Sequence, residues 1–219
     1  MNFSLIHLVR QPEITSDKPP LLILLHGVGS HEYDLFSLAQ YVDKRFLVLS
    51  ARAPNTLGPN SYAWFPVQIL PDKFIIDPEK AEDSRKAIIQ FVTEATDFYG
   101  ANPQQVYLMG FSQGAIMSAS VMLTNPGILA GVVAMSGRIL PEVQPIMVPE
   151  KELQDFPVFV VHGTRDQVIP IQNGRASNEL LSDLPVNLVY KEYDMGHEIS
   201  NDSLSDILAW LGKLLDEAS

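Results

Sequence analysis

The chain has 219 residues, of which 46% are hydrophobic and 19% charged. That is the profile of one folded α/β domain of the usual ~100–200 residues or slightly more, and we take residues 1–219 as a single domain. With 26 acidic against 15 basic residues the net charge is −11, which disfavours nucleic acid, anionic membrane surfaces and highly charged anionic substrates unless a local site overrides the global field. The absence of cysteine excludes disulfides, thiolate metal sites and a cysteine nucleophile, and fits a reducing compartment.

In chain order, a weak first strand near Leu5–Val9 is expected at an antiparallel edge, followed by a continuous apolar run at Leu21–Leu25. Asp34 is placed to cap a helix through Val42, and Phe46–Leu49 is the next strand. Residues Asn55–Ile76 fit neither a strand nor a helix period. They form a long proline-containing loop bearing Tyr62, Trp64, Phe65 and Phe74, either functional or packing its aromatics on the sheet. Asp77-Pro78-Glu79 is a strong helix start, and apolar residues from Ala81 to Phe98 recur at helical spacing until Gly100 and Pro103. Val106–Met109 is a strand and Gln113–Leu123 a helix ending at Asn125-Pro126-Gly127. Strands at Gly131–Met135, Val158–Val161 and Leu188–Tyr193 follow, with helices at Ile171–Leu181 and around Leu204–Leu215. The stretch Ile139–Phe156 is unassigned. Strands buried on both faces, alternating with helices, predict a mostly parallel sheet covered on both sides, with no large lid.

The chemistry is signalled by Gly110-Phe111-Ser112-Gln113-Gly114. A G-x-S-x-G set between a strand and a helix puts the serine on a sharp turn. The glycines remove side chains that would collide there, and the hydroxyl is left exposed. Ser112 is therefore the candidate nucleophile. A serine needs a base, and the base an orienting carboxylate. Asp166 lies just past the strand Val158–Val161, and His197 just past Leu188–Tyr193. Both stand where parallel sheets place their ligands. Asp155 and Asp194 are rival acids, but Asp155 precedes its strand. His7, His26, His31 and His162 are rival bases, of which His26 and His162 suit structural roles before glycines. The oxyanion of an acyl-transfer intermediate needs two donors. The Gln113 amide supplies one, and Val28, in Leu25-His26-Gly27-Val28-Gly29, is the choice for the second. No metal-binding spacing and no nucleotide-binding glycine loop is present, so no metal and no cofactor are expected.

The blocks LLHGVGSHEYDL, GFSQGA, HGTRDQVIP and DMGH resemble the phospholipase/carboxylesterase family, which includes the acyl-protein thioesterases. The resemblance spans Leu21 to about Leu211. It implies the α/β-hydrolase fold, a small lidless esterase for short or medium acyl chains, and site residues at Ser112, Asp166, His197, Val28 and Gln113. The motif Tyr62-Ala63-Trp64-Phe65 matches the family's aromatic loop and suggests that Trp64 lines the acyl pocket. The expected activity is a serine carboxylesterase acting on small-molecule esters through an acyl-enzyme. The rivals are an acyl-protein thioesterase, a lysophospholipase, or a silent hydrolase-fold binding protein. Members of the family often form homodimers, but no interface is legible here. The N-terminal apolar run is too short for a signal peptide and no stretch is long enough to span a membrane, so no membrane insertion and a cytoplasmic location are expected.

Overall fold

A computed structural model describes residues 3–70 and 73–218. Its centre is a seven-stranded sheet in the order β1-β3-β2-β8-β9-β10-β11. The strands are β1 (His7–Arg10), β2 (Leu21–Leu25), β3 (Leu47–Ala51), β8 (Val106–Phe111), β9 (Gly131–Met135), β10 (Pro157–Gly163) and β11 (Asn187–Tyr193). Only the β1–β3 pair, at one edge, is antiparallel. The long apolar runs thus become the buried inner strands, as their composition requires.

Period-two alternation divides each inner strand between two cores. Leu21, Ile23 and Leu25 of β2 face one core with helices α2 (Pro78–Tyr99), α3 (Gln113–Thr124) and α4 (Ile171–Ser182). Leu22 and Leu24 face the other, with α1 (Tyr33–Phe36) and α5 (Asn201–Glu217). Every residue of α3 is buried. Its Ser118, Ser120 and Thr124 hydroxyls satisfy themselves by donating to carbonyls four residues back.

Helix α2 begins and ends as its sequence specifies. The Asp77 carboxylate accepts from the Lys80 amide at 3.1 Å, Pro78 occupies the first turn, and Gly100 closes the helix at φ 65°. Two expectations need correction. Asp34 does not cap α1. Its carboxylate accepts from the Ser30 hydroxyl, and the short helix passes at once into a 3₁₀ turn over Ser37–Gln40. Residues Asn55–Ile76 are not a structureless loop. They hold two hairpins, β4 (Asn55–Gly58) with β5 (Ser61–Ala63), and β6 (Val67–Leu70) with β7 (Lys73–Ile76). The unassigned stretch Ile139–Phe156 contains two 3₁₀ turns, Pro141–Ile146 and Glu150–Leu153. Pro71, which falls in the loop reading, lies outside the described residues.

Candidate active site

Four turns at the C-terminal edge of the parallel strands supply the site. The first follows β8. Ser112 there adopts φ 54° and ψ −115°, an unfavourable backbone for a residue with a Cβ. The conformation is held because no bulk stands around it: a Cβ on Gly110 would strike the Gly114 carbonyl, and one on Gly114 would strike the Leu25 carbonyl. The turn is pinned by the Ser112 amide donating to Met135 O at 2.9 Å and by Ile116 N donating to Ser112 O at 3.1 Å.

The second and third turns follow β10 and β11. His197 Nε2 lies 2.9 Å from Ser112 Oγ, and His197 Nδ1 lies 2.7 Å from Asp166 Oδ2. Residues 85 and 31 apart in sequence thus form one chain of hydrogen bonds. Asp166 is buried and fixed at its other oxygen, where Oδ1 accepts from the Val168 and Ile169 amides, both at 2.8 Å. Those two bonds fix the carboxylate in place and leave one oxygen to accept from the imidazole Nδ1 and orient the ring. The other ring nitrogen is then free to accept the hydroxyl proton. The Phe111 ring packs against the imidazole at 4.9 Å.

The fourth turn follows β2. Gly27 lies against Ser112, since a Cβ on it would be 3.3 Å from Ser112 Cβ. Val28 is next, 40% exposed in the wall of the cleft that holds Ser112. Among the described residues the Val28 and Gln113 amides donate to no carbonyl, so both remain available as donors.

Three of the rival histidines are bonded elsewhere. His26 is fully buried, with Nδ1 at 2.7 Å from Gly27 O and Nε2 accepting from Ala53 N, and burial lowers its pKa. His162 Nε2 donates to Ile169 O at 2.7 Å, beneath the Asp166 turn. His7 bonds Tyr99 far from the site. Among the described residues, no cluster of His, Cys, Asp and Glu is arranged to hold a metal ion.

The cleft has a volume of about 560 Å³ with its open mouth included, and its apolar wall includes Phe65, Val67, Ile76, Ile116 and Ile169. Trp64 is not part of that wall, which corrects the sequence expectation. Its ring is completely buried and its Nε1 donates to His26 O at 2.9 Å. Neighbouring residues of an extended chain face opposite sides, so with Trp64 pointing into the core Phe65 points into the cleft.

Sequence reasoning used Gln113 only for its backbone amide and missed its side chain. Oε1 accepts from Trp64 N at 2.8 Å and Nε2 donates to Phe65 O at 2.7 Å. The carboxamide imitates a peptide group and holds the aromatic segment as a neighbouring strand would. Ser84 Oγ donates to Trp64 O from α2, and Gly29 N donates to Tyr62 O at 2.8 Å. The hairpin segment is therefore tied both to the turn after Ser112 and to the Val28 turn.

A mostly parallel sheet carrying a strained serine at the strand–helix turn, with histidine and acid on later turns, defines the α/β-hydrolase fold. A sequence model of the phospholipase/carboxylesterase family matches residues 10–215, and the chain belongs to that family. Acyl-protein thioesterase 1 of Kluyveromyces lactis is 30% identical over 215 residues, covering 89% of this chain and 92% of that protein. The esterase YpfH of Escherichia coli is 29% identical over 206 residues, with 86% and 81% covered. Among solved structures, a Bacillus cereus carboxylesterase superposes with a TM-score of 0.80 at 25% identity, covering 96% of this chain and 94% of that one.

Proposed function

We propose that the chain is a serine carboxylesterase that hydrolyses short- to medium-chain esters through an acyl-enzyme. The observation that carries this reading is the unbroken hydrogen-bonded chain Ser112–His197–Asp166, whose Ser112 end lies in the wall of an apolar cleft. Ser112 Oγ attacks the ester carbonyl as His197 Nε2 takes its proton. Asp166 orients the ring and stabilises its charged form. The tetrahedral oxyanion is received by the Val28 and Gln113 amides, the second at the N-terminus of α3, where the helix dipole favours negative charge. His197 then gives its proton to the leaving alcohol. Water, deprotonated by the same nitrogen, releases the acid and restores Ser112. The chemistry requires no cofactor, and the absence of cysteine suits work in the cytoplasm.

The same machinery cleaves thioesters, and the Kluyveromyces relative bears a thioesterase's name. The apolar cleft of modest volume favours small acyl esters as the first substrates to try. The test is hydrolysis of p-nitrophenyl butyrate by the native chain beside Ser112→Ala. Replacing a nucleophile of this kind lowers kcat by about 10³-fold or more. Equal rates in the two, with folding verified by circular dichroism, would remove Ser112 from the mechanism. Labelling by a fluorophosphonate, abolished in Ser112→Ala, gives an independent reading. A chain that only binds ligands would stay unlabelled.

A further inference from the structure

Of the seven arginines in the sequence, Arg138 alone lacks a partner among the described residues. Arg45, Arg52, Arg85, Arg165 and Arg175 are ion-paired. Arg10 donates to the Val42 and Asp43 carbonyls. Among the described residues, no carboxylate lies within salt-bridge distance of Arg138 and none forms a hydrogen bond with its side chain.

Its position is the wall of the Ser112 cleft, where it is half-buried. The turn after β9, the strand beside β8, brings it there. Ser136 takes φ 52°, and Gly137 then packs so closely that an added Cβ would lie 2.7 Å from Ala115 Cβ and 3.3 Å from Ser112 O. Arg138 also borders a smaller apolar pocket lined by Ala119, Met122 and Leu181, which sets apolar groups beside it there too. Among the described residues no other charged residue lines the cleft, and Asn173 adds a carboxamide to the same wall.

A half-buried guanidinium bordered by apolar side chains is poorly solvated until an anion meets it, and its planar fork matches a carboxylate. Given the serine-esterase reading on which this rests, we infer that Arg138 receives a carboxylate at the far end of the acyl chain. The favoured substrates are half-esters of short dicarboxylic acids. The acyl half is assigned for a geometric reason. His197 must reach the leaving oxygen, and it forms no part of the cleft wall, so the alcohol departs on the His197 side and the acyl chain fills the cleft. The net charge of −11 repels such a substrate at long range, and the discrimination is made at contact by this one cation.

The test compares monoethyl glutarate with ethyl valerate, a neutral ester of equal acyl length, in the native chain, Arg138→Gln and Arg138→Lys. The native chain is expected to favour the half-ester. In Arg138→Gln the ratio of the two kcat/KM values falls about 10- to 100-fold, chiefly through KM, the range of one charge-assisted contact. Arg138→Lys restores part of the ratio. Because each enzyme serves as its own reference, damage to folding cancels. Equal ratios in native and Arg138→Gln chains, with Ser112-dependent hydrolysis of ethyl valerate intact, would overturn the inference and leave the esterase reading standing. A loss confined to an ester with its carboxylate on the alcohol would overturn the acyl assignment. Glutarate binding by calorimetry reads the same contact without turnover, in the native chain and in Ser112→Ala. Affinity unchanged by Arg138→Gln would also overturn the inference.

Discussion

His26 sits under the cleft with both ring nitrogens engaged, and burial pushes its pKa down. The folded chain therefore prefers the neutral ring, while the unfolded chain takes up a proton near pH 6.5. The unfolded state binds more protons as the pH falls through that value, so this contribution to stability is present above pH 6.5 and is lost below it. Thermal melts from pH 7.5 to 5 should show Tm falling on the acid side, and His26→Gln should flatten that fall. Gln113→Ala keeps the backbone amide but deletes both carboxamide bonds to the aromatic segment. Leaving the buried Trp64 amide and Phe65 carbonyl unpaired is expected to lower stability by about 1–3 kcal/mol and to raise KM for p-nitrophenyl butyrate, readable by denaturant titration and steady-state kinetics. Ser112, Asp166 and His197 were legible because each follows a recognisable strand in the order the fold requires. Trp64 was mistaken for Phe65 because spacing does not say which of two adjacent aromatics faces the cleft. The Gln113 clamp and the isolation of Arg138 depend on contacts between distant segments, which no local pattern carries.

Among the elements, the long parallel strands and α2 could be read to within a few residues, since buried β-branched runs and a cap–proline–glycine frame are local signals. The two hairpins could not, because strands of three or four residues interrupted by prolines are shorter than any period can establish. Helix α1 failed for a related reason: Asp34 has the chemistry of a cap but bonds Ser30 instead. Helix α4 shows how an element positions the site. It crosses His162 at Gly174, where a Cβ would lie 2.6 Å from the ring, and His162 in turn supports Ile169 below the Asp166 turn. Gly174→Ala should push α4 outward, lowering stability by about 1–3 kcal/mol. The expected kinetic signature is a drop in kcat with the esterase assay as readout, because Asp166 shifts with its turn. On α2, Asp77→Ala removes the cap at Lys80 and should cost about 1 kcal/mol in the same denaturant titration, with activity retained.

At the scale of the whole molecule, one sheet carries both cores, and each inner strand contributes side chains to the two of them. Neither core can be lost while the other persists, so calorimetry should show one unfolding transition with equal calorimetric and van't Hoff enthalpies. Two resolved transitions would contradict the single-domain reading. The hairpins between β3 and α2 lie outside that sheet, which makes them the part of the chain freest to vary and a natural place to look for new substrate preferences. Gln113 limits that freedom. Its side chain grips the hairpin segment while its main-chain amide is the proposed oxyanion donor, so a change that reshapes one end of the residue is felt at the other. A lineage, or a directed-evolution campaign, that remodels this segment to admit a bulkier acid would trade away turnover unless position 113 changed with it, and the two would be expected to drift as a pair.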